Sequence, residues 1–211
     1  MNESQKVFKN SSTTYYYSSL FFQKKIFRQV RDLYAFVRIA DNFVDQIPQD
    51  RKNLTLFIKN TYACFQGQKM IANDHNLYIQ RFVKLAKVKN FDLAWVEAFF
   101  HSMSSDLQKP KQWLIYQNEA ELAKYVHGSA ETIGLMMAKI LELNEQAFVY
   151  ARALGAAMQH INFIRDLKED CELQRQYLPV SDLQKFQLKN FSSLNLGDET
   201  ERKKNHCFDS F

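Results

Sequence analysis

The sequence predicts an all-α protein, and three observations carry that prediction. Glycine and proline number only 5 and 3 in 211 residues, about a third of the ~12% that average usage supplies. Sandwiches, barrels and Rossmann-type domains therefore lack the residues their turns require. Apolar residues recur at helical spacing in several separate segments. Hydrophobic residues make up 46% of the chain and aromatics 14%, enough apolar surface to offset the ordering entropy of one domain of this length.

Taken in order, the periodicity predicts helices over 22–46, 51–67, 73–88, 91–107, 118–142, 144–171 and 179–189. Ahead of them, Tyr15-Tyr16-Tyr17 reads as a helix start that buries its rings with the hydroxyls outward. Pro48 follows the first long helix and Gly67 ends the second. Pro179 opens the last as a favoured first-turn residue, with Ser181-Asp182 as the alternative cap. From Ser192 onward the chain is turn-like, then polar and charged, so it divides into a helical domain over 1–191 and a polar tail over 192–211.

The net charge is +5, a sign that suits nucleic acid, anionic lipid or a phosphorylated substrate. The basic clusters Lys24-Lys25 with Arg28 and Arg31, and Arg202-Lys203-Lys204, are short and lack interleaved stacking aromatics, so no nucleic-acid partner is expected. Cys64, Cys171 and Cys207 are scattered without a C-x-x-C spacing, which argues for reduced thiols rather than disulfides or zinc. No apolar run approaches the ~18 residues of a bilayer span, and the first residues lack a signal-peptide layout. The expected location is the cytoplasm, with any membrane attachment peripheral.

Two helices carry aspartates where apolar residues would be expected. Asp41 and Asp45 are four residues apart, on a face that also holds Tyr34, Val37 and Arg38. In the second helix Gln159, Asn162, Asp166 and Asp170 are spaced 3, 4 and 4. They form a polar line on a helix otherwise apolar, with Leu154, Ala157, Ile161, Phe163, Ile164 and Leu167. Like charges at i, i+4 cost an isolated helix about 0.2–0.5 kcal/mol per pair. A single D-x-x-x-D is most simply a solvated helix face; two, each set among apolar residues, invite a shared explanation. Facing each other across a bundle, four carboxylates and an amide oxygen would suit Mg²⁺, which binds through one or two carboxylates plus substrate phosphates. Arg38 and Arg165 would then hold phosphate oxygens. A ferritin-like di-metal bundle wants Glu-x-x-His, and none of the five histidines has a glutamate three residues before it.

Together with Ser11-Ser12-Thr13-Thr14-Tyr15-Tyr16-Tyr17 and Arg175-Gln176-Tyr177-Leu178-Pro179, the two stripes resemble the squalene/phytoene synthase family of head-to-head prenyl synthases, and within it the phytoene synthases most. The resemblance runs from about Phe8 to Leu188. It implies an isoprenoid-synthase-type helical bundle around a central cavity, lacking the last helices of the family. It also implies Mg²⁺-dependent condensation of two geranylgeranyl diphosphates to phytoene through a cyclopropylcarbinyl diphosphate, several Mg²⁺ ions acting with the substrate diphosphate. Asp41, Asp45, Asn162, Asp166 and Asp170 match the family's metal positions, and Tyr34 joins the four aspartates as a catalytic position. Ser12, Thr14, Arg38, Gln159, Arg165 and Tyr177 match positions that bind diphosphate, and Tyr125, Ile133 and Met137 match the hydrocarbon cavity. The last three also read as ordinary core. His101, His127 and His160 read as packed or surface residues.

Three departures accompany the match. Asn42 stands where many members carry aspartate, Glu131 replaces a residue that is often small, and the chain ends where the family continues with further helices. The alternatives are therefore a C30 squalene or dehydrosqualene synthase using farnesyl diphosphate, and a non-catalytic remnant or split enzyme whose bundle a partner chain completes. NADPH is not expected unless squalene is the product.

Overall fold

Helices form in every segment where the apolar period predicts one. The computed structural model describes residues 13–107 and 113–185, with Lys9 and Gln187 besides. The helices are α1 (Thr13–Ser19), α2 (Lys24–Asp45), α3 (Arg51–Phe65), α4 (Asn76–Lys89), α5 (Leu93–Ser105), α6 (Glu119–Val126), α7 (Thr132–Ile140), α8 (Phe148–Arg165), α9 (Leu167–Glu172) and α10 (Val180–Lys185). Two short strands, β1 (Leu114–Ile115) and β2 (Arg175–Gln176), pair in parallel. The described residues fall into two compact units, one within Met1–Leu107 and Tyr125–Gln159, the other within Gln108–Lys124 and His160–Phe211.

Side chains and backbone conformation set the helix ends. Asp50 caps α3 by accepting from the Asn53 amide at 3.0 Å, and Asp92 caps α5 by accepting from Ala94 at 2.9 Å. Gly67 and Asn90, both left-handed, follow α3 and end α4. As anticipated, α2 stops before Pro48.

The core of the first unit is built on phenylalanine. Phe36 of α2 stacks on Phe82 of α4 with ring centroids 3.7 Å apart, and Phe57, Phe99 and Phe100 surround it. Tyr16 is buried, whereas Tyr15 and Tyr17 are exposed. The expectation that all three rings bury is thus corrected: at ~100° per residue, one helix face cannot take three consecutive side chains.

The predicted 118–142 helix is interrupted by a wide π turn, His127–Glu131. The carbonyl of Tyr125 accepts from the hydroxyl of Ser102, reaching over from α5 at 2.9 Å, so a foreign donor enters the helical ladder where the turn widens. Beyond it, α7 meets α8 at very short range. A Cβ on Gly134 would lie 2.3 Å from the Ala151 carbonyl oxygen, and one on Gly155 2.6 Å from that of Ala130. Ala130 and Gly134 thus oppose Gly155 and Ala151, two small residues four apart on each side of an antiparallel crossing.

The predicted 144–171 helix is also broken, into a 3₁₀ turn Glu145–Ala147, then α8 and α9. In the second unit Leu114 pairs with Arg175 and Ile115 with Gln176. The amides of Val180 and Ser181 donate to the carbonyls of Tyr116 and Gln117 at 2.9 and 3.1 Å, satisfying the first turn of α10. The helix therefore starts directly after Pro179 rather than at the Ser181-Asp182 cap. Cys64 and Cys171 are free thiols, each pushed above its usual pKa mainly by burial. The predicted tail over 192–211 and Cys207 lie outside the described residues.

Candidate active site

In the first unit α2 carries the stripe. Leu33, Phe36, Ala40, Phe43 and Val44 enter the core, and the helical turn then leaves Tyr34, Val37, Arg38 and Asp41 half-buried and Asp45 exposed. The Arg38 Nη1 stands 4.0 Å from the Asp45 carboxylate. The Arg38 Nε is buried and makes no hydrogen bond among the described residues. A buried donor left so costs free energy that an anion would recover. Tyr34 and Val37 sit at the edge of the core, as do Ile133 and Met137, one turn apart on α7. Gln159 is half-buried near the end of α8.

Tyr125 has a second task. Its ring is buried and its hydroxyl donates to Asp106 Oδ2 at 2.8 Å, inside the unit. Glu131 does more than alter shape. It accepts from Arg152 Nε at 2.9 Å, lies 2.7 Å from Arg152 Nη2, and meets His127 Nδ1 at 2.9 Å. Burial alone would raise the Glu131 pKa, but the His127 and Arg152 hydrogen bonds and charges outweigh it and hold the carboxyl below its usual value. This link between the π turn and α8 was not foreseen, because the i, i+4 pair His127–Glu131 is only half of it and Arg152 lies 21 residues away in sequence.

In the second unit Asn162, Asp166 and Asp170 are all half-buried. The Asp166 amide donates to the Asn162 carbonyl and the Asp170 amide to that of Asp166, each at 2.8 Å. The four-residue spacing therefore survives the break between α8 and α9. Arg165 clasps Asp166 with Nε to Oδ1 and Nη2 to Oδ2, both at 2.6 Å. Tyr177 is buried in a ring stack, 4.5 Å from Phe163 and 6.0 Å from Tyr116. Beside it Arg175 and Gln176 are buried too. Fully buried guanidiniums are uncommon, and Arg175 heads the Arg175-Gln176-Tyr177-Leu178-Pro179 segment that the resemblance singled out, although its burial was not legible in the sequence.

Ser12 lies outside the described residues, and Thr14 falls in the first turn of α1. His101 and His160 are exposed and His127 is half-buried. The apolar residues predicted around the second stripe separate: Phe163 is buried, whereas Leu154, Ile161 and Ile164 are exposed, as is Tyr150. Among the described residues no three His, Cys, Asp or Glu side chains converge as a metal cluster, and no helix is long and apolar enough to cross a membrane.

The carboxylates fit Mg²⁺ by donor chemistry: they are hard oxygen donors, half-buried or exposed. In one unit Asp41 and Asp45, and in the other Asp166 and Asp170 with Asn162, are the groups that would each hold such an ion.

Comparison with known proteins places the chain as a whole. A family model described as squalene/phytoene synthase matches residues 8–204. The phytoene synthase of Thermus thermophilus is 30% identical over 175 residues, 83% of this chain and 57% of that protein. A 4,4'-diapophytoene synthase of Staphylococcus haemolyticus is 22% identical, covering 93% of this chain and 66% of the relative. The chloroplastic phytoene synthase of Daucus carota is 27% identical, covering 81% and 43%. The chain thus spans between about two fifths and two thirds of the length of these curated relatives. Among solved structures, a dehydrosqualene synthase superposes with a TM-score of 0.74 at 22% identity, covering 88% of this chain and 62% of the other. A squalene synthase from Alicyclobacillus acidocaldarius gives 0.72 at 20%, covering 88% and 68%. At these identities the superpositions establish the shared all-helical fold.

Proposed function

The chain belongs to the squalene/phytoene synthase family, and from that premise we propose that it joins two geranylgeranyl diphosphates head to head to give phytoene. The observation that carries the proposal is the pair of acidic faces, each with an arginine at its side, in a chain matched over residues 8–204. Phytoene synthase is the activity named for the 30% identical relative, which favours the C20 substrate. The C15 substrate is the runner-up, since a 4,4'-diapophytoene synthase is also among the relatives.

The residues would divide the work by chemistry. Mg²⁺, when bound with diphosphate, supplies positive charge that stabilises the departing pyrophosphate. Arg38 offers a buried Nε with no partner among the described residues, a donor suited to a phosphate oxygen. The Arg165–Asp166 clasp lies toward solvent, where such pairs contribute at most about 1 kcal/mol. An incoming diphosphate draws Arg165 away at little cost and leaves the Asp166 oxygens open. Tyr34, Val37, Ile133 and Met137 present half-buried apolar surface, the lining an allylic cation needs to escape water.

The test is incubation of purified chain with Mg²⁺ and either geranylgeranyl or farnesyl diphosphate in detergent, following pyrophosphate and extractable hydrocarbon. The expected product is a C40 hydrocarbon, lost by roughly 10²-fold or more in Asp41→Ala and in Asp166→Ala. Product that persists in both variants refutes the site. A second reading, in which the chain is one part of an assembly, is favoured by the exposed Tyr150, Leu154, Ile161 and Ile164 along α8. Folded protein that releases no pyrophosphate from either diphosphate selects it.

A further inference from the structure

The turn between α1 and α2 exposes three consecutive apolar side chains. Leu20 is 50%, Phe21 94% and Phe22 36% exposed, with Tyr17 at 53% in the preceding helical turn. Such runs are unfavourable in water and persist where they are used. The exposure does not come from fraying. The amides of Leu20, Phe21 and Phe22 donate to the carbonyls of Tyr17, Ser18 and Ser19 at 3.2, 3.3 and 3.1 Å. The buried Ser19 hydroxyl donates to the Tyr16 carbonyl at 2.6 Å, and Tyr16 packs edge-on against Phe27 at 6.1 Å. A closed turn, tied to the core on both sides, holds Phe21 out.

Cations follow at once. Lys24, Lys25 and Arg28 are all exposed at the start of α2, with Lys24 and Arg28 four residues apart on one face. Among the described residues Glu142 lies 3.9 Å from the Lys25 ammonium, but its closer partner is Lys89 at 2.7 Å. The local balance is positive, in keeping with the net charge of +5.

We infer that this turn docks the protein onto a bilayer bearing anionic lipid, Leu20, Phe21 and Phe22 entering the interface while Lys24, Lys25 and Arg28 meet the headgroups. An apolar tip with cations at its base matches the order of layers at such a surface, hydrocarbon beneath negative charge. A second copy of the chain is the less suitable occupant, because one turn of three or four side chains falls well short of the ~800 Å² per partner of a stable interface.

The test is flotation of the full chain with vesicles of phosphatidylcholine, with and without phosphatidylglycerol, at low and high salt. No substrate is present, so the outcome is separate from that of the condensation assay. The chain is expected to float with the anionic vesicles and to release in high salt. Phe21→Ser should weaken partitioning roughly tenfold or more, and Lys24→Gln with Lys25→Gln about fivefold per charge, with a flatter salt dependence. Because Phe21 is almost fully exposed, the Phe21→Ser melting curve should match the wild type, which separates lost docking from lost folding. Flotation unaffected by Phe21→Ser, equal flotation with neutral vesicles, or an equal loss in Ile161→Ser on α8 overturns the inference. So does a lipid-free dimer that Phe21→Ser abolishes, which would assign the turn to a second copy.

Discussion

Replacing Gly134 by alanine tests the crossing of α7 and α8 most sharply. The new Cβ would stand 2.3 Å from the Ala151 carbonyl oxygen and 3.0 Å from its carbon. Both are main-chain atoms, so no rotamer change relieves the clash. Restoring ordinary contact moves the two helices apart by about 1 Å, and a gap of that size forfeits a quarter to a half of each contact's attraction. Overpacking of this kind costs about 1–3 kcal/mol. A clash with two main-chain atoms belongs in the upper part of that range, about 2–3 kcal/mol; alanine returns up to about 1 kcal/mol of helix propensity, leaving a net loss of roughly 1–2 kcal/mol. Gly155→Ala, with its Cβ 2.6 Å from the Ala130 oxygen, should lose less. The double variant should lose less than the two combined, since one separation relieves both clashes. Urea unfolding followed by circular dichroism measures all three, with an unchanged slope indicating a native-state effect. A Gly134→Ala protein as stable as the wild type, or strict additivity in the double variant, would sink the account of this crossing.

Three further outcomes are expected. Tyr125→Phe removes a donor from the buried Asp106 carboxylate and should destabilise by about 1–3 kcal/mol in the same urea assay; no change would mean the bond contributes nothing net. His75 has its pKa lowered from 6.5, chiefly by burial against the opposing charges of Asp74 and Asp50. The unfolded chain therefore takes up its proton first as pH falls, and stability present above 6.5 should decline below it. His75→Gln should flatten that decline in melting temperature against pH. Arg165→Lys keeps the charge but loses the planar fork, so KM for the diphosphate should rise while kcat moves less, and an unchanged KM would remove Arg165 from substrate binding.

Most of the helical plan was legible because 3.6-residue periodicity is a local property, written into any segment with one buried face. The acidic stripe on α2 was legible for the same reason: Tyr34, Arg38, Asp41 and Asp45 lie on one side because of their spacing alone. What escaped depends on two segments at once. The π turn at His127–Glu131 forms where Ser102, on another helix, reaches the Tyr125 carbonyl. The β1–β2 clip is two residues on each side, too short for a period of two to appear. The Gly134–Gly155 crossing needs both glycines and their alanine neighbours in register, and each glycine alone reads only as a weak helix former.

The exposed side of α8 marks the deeper limit, because hydrophobic periodicity reports that a face is apolar and not what covers it. Leu154, Ile161 and Ile164 carry the same signal as buried Phe163, yet they meet solvent. The polar line has the opposite ambiguity. Asn162, Asp166 and Asp170 are half-buried, and Asp166 is already neutralised by Arg165 beside it. In the other unit Arg38 stands 4.0 Å from Asp45, a pairing too long to be a good hydrogen bond. One carboxylate of each stripe is thus paired locally with an arginine, and no closed metal cluster forms among the described residues. A resident structural metal would want its ligands fixed in advance; a site assembled by its substrate wants carboxylates and guanidiniums that can be drawn apart by a diphosphate. The local pairs within each unit, Arg38 with Asp45 and Arg165 with Asp166, suit the second kind, the arrangement that the proposed condensation calls for.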